Sequence, residues 1–301
     1  MNLETDENSK KQLEPKSGFL YLVGTPIGNL GDLSPRAKNL LSKVSVIACE
    51  DTRNSGQLLK HLKIKATLIS FHRHNTQSRI PKLLDLLKGG ESIALISDAG
   101  LPGISDPGEE LVYAAKEAKF CVVCIPGPCA AITALVSSGM PSQRFCFEGF
   151  LPSKQKYRAQ ILSQIAKETR TTIIYESPHK LLKLLKGLSD LCGKDRPLQV
   201  ARELTKRYEE HIGTTIGDAI QHFSETKPKG EFTLVLGGNN SINKNKKSEY
   251  ELTEEMRTLI SKGLTPSNAA KELAIQSGYS KNFLYALIHE KNSFDNSNDA
   301  K

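Results

Sequence analysis

The chain lacks any apolar run approaching the ~20 residues of a membrane-spanning helix, so no membrane association is expected. No secretory leader is expected. Residues 1–17 are polar and mixed in charge, and read as an unstructured lead-in to a cytoplasmic protein. Cysteine is scarce: Cys49, Cys121, Cys124, Cys129, Cys146 and Cys192. Cys121 and Cys124 have CxxC spacing, but no second CxxC completes a zinc site, and residues three apart in a strand face opposite ways. Buried, reduced thiols are expected. His72 and His74 stand two apart without a third ligand, so no metal is expected. The glycine-rich residues 24–31 are not followed by Gly-Lys-Ser/Thr and do not spell GxGxxG. Neither nucleotide hydrolysis nor a standard dinucleotide site is supported.

What is present is a globular composition, 38% hydrophobic and 25% charged, with a net charge of +8. Basic residues outnumber acidic ones between Leu151 and His211, which suits an anionic partner or a solvated helical surface. Short β-type runs at 19–23, 44–48, 67–70, 93–96 and 121–125 alternate with helical patterns at 35–41, 55–61, 80–88 and 109–118. This rhythm predicts a mostly parallel sheet. It changes after Pro128. Helices at 130–138, 156–168 and 179–190, with strands at 145–150, 171–175, 198–202 and 231–236, predict a second α/β domain of mixed strand direction. The division expected is a lead-in (1–17), an N-terminal α/β domain (18–128), a second α/β domain (129–238), a linker (239–250), a helical unit (251–290) and an unstructured tail (291–301). Gly278 is expected to break the helical unit into a helix-turn-helix-like pattern, whose charge is poor for DNA.

The chemistry sits where strands end. Ile93 to Ile96 run into Ser97, Asp98 and a loop rich in glycine and proline, and Cys121 to Ile125 run into Pro126 and a helix of small residues. Open α/β sheets bind ligands at such junctions. The string ACEDTRN sets Glu50, Asp51 and Arg53 after a strand. It reads either as a helix cap with an internal ion pair or as a functional loop. FHRHN, YESPHK and ARELTK also follow strands, and each could be a plain polar loop.

Taken together, LYLVGTPIGNLGDLSPRA, ACEDTRNS, FHRHN, ALISDAGLPGISDPG, VCIPGPCAAITALVSSGMPSQRFCFEGFLP, YESPHK, ARELTK and GEFTLVL resemble the tetrapyrrole methylase superfamily. They span Leu20 to Leu236 in order, and the helical segment after Leu252 also fits. Within the superfamily they are most similar to the branch that 2′-O-methylates a cytidine ribose in the decoding region of 16S rRNA. Leu101 stands where threonine is expected and Cys129 where serine is common, so local contacts there differ. The resemblance implies two α/β domains with a cofactor cleft between them, S-adenosylmethionine as methyl donor, the small ribosomal subunit as substrate, and a homodimer. Cofactor contacts are implied at Ser97, Asp98, Ala99, Gly100, Gly103, Ile104, Pro126, Ala130, Ala131, Tyr175, Ala201 and Gly230.

A ribose hydroxyl is a weak acid, so a carboxylate that accepts its proton should help. Glu50, Asp51, Asp98 and Glu203, all in strand-end loops, are the catalytic candidates. Arg53, His72, Asn75, Arg158, Lys180, Arg202, Lys206 and Arg207 are the candidate RNA contacts. A porphyrin-like acceptor, or a non-catalytic nucleic-acid-binding protein, are the rival readings.

Overall fold

The structure, a computed structural model, describes residues 15–239, 248–277 and 279–295. The chain divides into two compact units, 1–238 and 239–301.

The first unit holds two five-stranded sheets. In sheet one, β1 (Phe19–Val23), β2 (Val46–Cys49), β3 (Thr67–Ser70), β4 (Ile93–Ile96) and β5 (Cys121–Ile125) lie in the order β3-β2-β4-β1-β5. Every pairing is parallel, with Leu22 between Leu95 and Cys124, and Ala48 between Leu95 and Ile69. Central strands β2 and β4 are buried throughout, which is why they read as continuous apolar runs. The crossovers are α1 (Pro35–Leu41), α2 (Thr52–His61), α3 (Thr76–Lys88) and α4 (Glu109–Glu117). Ser34 caps α1 by accepting from the Ala37 N–H, with Pro35 in the first turn, and Asp51 caps α2 by accepting from the Arg53 N–H.

Sheet two is mixed. β6 (Phe145–Phe150), β7 (Thr171–Glu176), β8 (Leu198–Arg202), β9 (Glu210–Ile212) and β10 (Phe232–Leu236) take the order β6-β7-β10-β8-β9. Only β6 with β7 is parallel. One face is covered by α6 (Gln155–Lys167), α7 (Leu181–Cys192) and α8 (Ile216–Glu225), through Leu162, Leu184, Leu188 and Phe223 among others. The other face receives α5 (Ala130–Ser138), whose Ala131, Ala134 and Leu135 pack on Ile173, Ala201 and Val235. Strand β9 and helix α8 were not anticipated. The helix had a legible signal: Thr215 and Asp218 form a capping box, and Ile216, Ala219 and Phe223 repeat on one face.

The expectation of buried thiols needs correction. All six cysteines are free, but only Cys49 is buried; Cys121 and Cys124 are exposed. Their strand, β5, is an edge strand, so its faces are not covered like those of the centre.

The second unit packs α9 (Glu249–Ser261), α10 (Pro266–Ser277) and α11 (Lys281–Asp295) around Leu252, Met256, Ala269, Ala270, Leu273 and Leu284. Helix α9 begins inside the segment expected as linker, because Ser248 and Glu251 form a capping box. Helix α11 runs to Asp295, into the segment expected to be unstructured. Gly278, the expected breaker, lies outside the described residues, as do 1–14 of the lead-in, 240–247 of the linker and 296–301 of the tail.

Candidate active site

The loops after β1, β4 and β5 meet at the carboxyl end of sheet one. Gly24 and Gly127 touch through their backbones; a Cβ on Gly24 would stand 2.7 Å from the Gly127 Cα. Thr25 and Gly100 exchange both backbone hydrogen bonds, at 2.9 and 3.1 Å. The buried Thr25 hydroxyl donates to the Ser97 carbonyl at 3.2 Å. The three loops are therefore fixed to one another before any ligand arrives.

They form one wall of a cavity of about 350 Å³. Asp98, Ala99 and Gly100 come from the loop after β4, Ala130 from the first turn of α5, and Tyr175, Gly230 and Phe232 from sheet two. The cavity thus lies between the two sheets. The Tyr175 hydroxyl accepts the Ala131 N–H at 3.0 Å, joining α5 to β7. Burial, followed by the Cys129 thiol nearby, pushes that hydroxyl well above its usual range, so it stays neutral.

Carboxylates gather at the same end of sheet one. Asp98 accepts from the Asp51 N–H at 3.2 Å and from Asn54 Nδ2 at 2.7 Å. Burial, then Asp98, raises the Glu50 carboxyl. Asp106, a cavity-lining residue, is raised to about 6 by burial, then by Glu50, while Ser97 and Arg73 oppose the shift. A carboxylate poised there is charged at neutral pH yet still basic enough to take a proton.

Asp98, Ala99, Gly100, Ile104, Ala130, Tyr175 and Gly230, all expected at the cofactor, line the cavity. Ser97, Gly103, Pro126, Ala131 and Ala201 do not. Ser97 is buried behind it, with its hydroxyl donating to the Gly100 carbonyl at 3.2 Å, and Ala201 lies in the core under α5. Among the catalytic candidates, Glu50, Asp51 and Asp98 fall together, but Asp51 is engaged as the α2 cap and held down to about 2 by Arg53. Glu203 stands apart. It sits at φ +50° in the turn after β8, accepts Lys206 Nζ at 3.0 Å and also accepts the Glu231 N–H. A Cβ on Gly230 would meet its carboxylate at 2.6 Å.

The proposed RNA contacts divide similarly. Arg158 is a correction: it is buried and donates to Glu176 Oε2 at 2.6 Å, so no phosphate reaches it. Asn75 is another. Its side chain accepts the His72 N–H and donates to the Ser70 carbonyl, closing its own turn rather than facing a nucleotide. Arg202 donates to Glu210 and to the Lys229 carbonyl, and Lys206 bridges Glu203 and Glu231. Arg53 pairs with Asp51 while largely exposed, Lys180 reaches Ser153, and Arg207 lies over the Tyr208 ring.

Asp106, Phe150 and Glu176 line the cavity and were missed. Asp106 lay within ISDPG, eight residues past Asp98, with only a loop to mark it.

A parallel sheet whose strand-end loops face a mixed sheet across a cavity defines a two-lobed α/β ligand-binding fold. The sequence model of the tetrapyrrole (corrin/porphyrin) methylases matches residues 19–220. Solved structures with the same fold include the methyltransferase CobJ, at TM-score 0.57 and 18% identity over 74% of this chain and 95% of that one. The uroporphyrin-III-C-methyltransferase from Thermus thermophilus aligns at TM-score 0.53 and 20% identity over 73% and 94%. Proteins named ribosomal RNA small subunit methyltransferase I are more similar in sequence. That of Synechocystis is 50% identical over 91% of this chain and 98% of its own length. Those of Escherichia coli O157:H7 and Bacillus subtilis are 45% and 42% identical, each over 91% of this chain and 96% and 95% of theirs. The chain belongs to the tetrapyrrole methylase family, in the group of proteins called ribosomal RNA small subunit methyltransferase I.

Proposed function

We propose that this chain is a cytoplasmic enzyme that transfers a methyl group from S-adenosylmethionine to the ribose 2′-hydroxyl of a cytidine in the decoding region of 16S rRNA, on the small ribosomal subunit. The observation that carries this reading is likeness at 40–50% identity, nearly end to end, to small-subunit rRNA methyltransferases. A porphyrin-like acceptor is supported by the broad family model and by fold likeness to solved structures at only 17–20% identity.

The cavity suits the cofactor. Its apolar side, with Ile27, Leu101, Ile104 and Phe232, offers a surface for a flat adenine. Asp98, Asp106 and Glu176 supply the negative field that a sulfonium cation prefers. Helix α5 starts at Ala130 with no side-chain cap on its N-terminus, an end that favours a carboxylate. When bound, the cofactor supplies an electrophilic methyl group on a sulfur that leaves neutral. The protein's task is then alignment and proton transfer. Asp106 accepts the acceptor hydroxyl's proton, and Glu50 and Asp98 keep Asp106 basic through their charge. Asp51 and Glu203, already engaged by Arg53 and Lys206, act in positioning their loops. Arg53, His72, Lys180 and Arg207 are the remaining surface contacts proposed for RNA. A homodimer belongs to the same reading; Ile132 and Val136, on one face of α5, are 45% and 73% exposed and offer apolar surface for it.

The test is methyl transfer from radiolabelled S-adenosylmethionine to small subunits from cells lacking this protein, followed by nucleoside digestion. Label in 2′-O-methylcytidine is the expected result. Tight cofactor binding with no label in rRNA would move the acceptor to a small molecule.

A further inference from the structure

Beside the cofactor cavity lies a second recess of about 250 Å³, lined by Arg73, Ser105, Phe147, Glu148, Gly149 and Phe150. Ser105 and Phe150 line both spaces, so one wall is shared. Asp106 follows Ser105 in the chain and lines the cavity side of that wall.

The recess is made by an irregularity in β6. Phe147 and Phe150 both pack on the Tyr175 ring, with centroids 5.1 and 5.5 Å away. In a regular strand, residues three apart face opposite sides. Here Phe147 pairs with Ile173 and Gly149 with Ile174, leaving Glu148 as an extra, bulged residue. Gly149 takes φ +59°, and a Cβ on it would stand 2.8 Å from the Ser105 hydroxyl. The bulge thus turns both rings to one side and lets the loop after β4 press against β6. Bulges of this kind re-aim side chains next to active sites.

What it aims is chemically mixed. Phe150 is 61% exposed although its neighbour Tyr175 is half-buried. Arg73 donates to the Ser105 carbonyl at 2.5 Å, which uses one of its five N–H donors, and among the described residues it forms no ion pair. Glu148 adds one exposed carboxylate. An open ring face, a cation with free donors and a single acceptor match the three parts of a nucleotide: base, phosphate and exocyclic amine.

We propose that this recess seats the acceptor nucleotide, with its base stacked on Phe150, its phosphate on Arg73 and an exocyclic amino group on Glu148. The ribose then stands at the shared wall, beside Asp106. The assignment rests on the reading of the chain as an RNA methyltransferase. It selects a base that carries an amino group, since uracil offers Glu148 no such donor.

The protein contains no tryptophan, so Phe150→Trp introduces a single indole reporter. The probe is an RNA oligonucleotide with one unpaired cytidine, compared with the same RNA made abasic at that position. Expected is fluorescence quenching that requires the base. Phe150→Leu keeps an apolar contact to Tyr175 but loses the stacking face. RNA affinity should fall by about five- to a hundredfold, the range for one base–aromatic stack, and return in Phe150→Tyr. Arg73→Gln should lower the salt dependence of RNA binding by about one phosphate contact. Base-independent fluorescence at RNA concentrations that saturate the wild type, or loss of cofactor affinity alone in Phe150→Leu, would overturn the assignment. A wild type that binds the oligonucleotide but transfers no methyl group to small ribosomal subunits from cells lacking this protein would instead overturn the methyltransferase reading and leave the recess as an RNA contact.

Discussion

Gly24 and Gly127 approach each other so closely that neither can carry a side chain: a Cβ on Gly127 would lie 2.8 Å from the Gly24 Cα. The obstacle on each side is backbone, which has no rotamer to move aside. This contact joins the loops after β1 and β5, and through Thr25 and Gly100 it reaches the loop after β4. Gly127→Ala should cost about 1–3 kcal/mol of stability, the usual price of overpacking, and weaken cofactor binding at the same time. Urea denaturation and calorimetric titration check both; an unchanged cofactor affinity would show that the loops are not coupled.

Arg158 and Glu176 form an ion pair inside the second lobe, with side chains 10% and 3% exposed. Glu176 also lines the cavity, and its other oxygen accepts the Ser177 N–H at 2.9 Å. Arg158→Met leaves that carboxylate uncompensated and should destabilise the protein by about 3–5 kcal/mol. Pairing it with Glu176→Leu should recover much of the loss. The salt dependence of RNA binding by surviving folded protein should not change, in contrast to a phosphate contact.

If Asp106 is the proton acceptor proposed, activity should follow its titration. With its carboxyl raised to about 6, kcat/KM should rise with pH through that value and then level off. Asp106→Asn should lower kcat, measured at saturating cofactor, by about 10²–10⁴-fold. Stability carries the opposite sign. The folded carboxyl is raised above its unfolded value of ~4, so its contribution is full below that value and lost as pH rises through about 6. Asp106→Asn should therefore melt higher than the wild type at neutral pH, and the difference should shrink as the pH falls below the folded value. A lower melting temperature at neutral pH would contradict the raised carboxyl.

In the C-terminal unit, the Ser248 hydroxyl accepts the Glu251 N–H at 3.2 Å while Glu251 accepts the Ser248 N–H at 2.7 Å. Ser248→Ala should cost about 1 kcal/mol, read as faster amide exchange in the first turn of α9.

The parallel sheet and its helices were legible because each strand ends in a turn signal and each helix repeats its apolar positions. Boundaries moved where caps decide them: Asp51 starts α2 earlier than its apolar periodicity shows, and Ser248 does the same for α9. The cavity-lining loops around Asp98, Gly100 and Ala130 stood out because strand ends and glycines mark them. Arg158 and Asn75 misled because charge and amide groups look alike in sequence whether they serve a ligand or their own fold. Their partners, Glu176 eighteen residues on and the Ser70–His72 turn, only become visible in three dimensions. Phe150 stayed hidden because its orientation depends on a bulge, for which Gly149 inside a strand pattern was the one available sign.

The most direct measurement is quantitative nucleoside mass spectrometry of 16S rRNA from a strain lacking this protein, complemented either with the wild type or with Asp106→Asn. The expected result is 2′-O-methylcytidine restored by the wild type and scarcely by the variant at equal protein level. Methylcytidine present without the protein, or restored equally by both chains, would contradict the function or the role of Asp106 respectively.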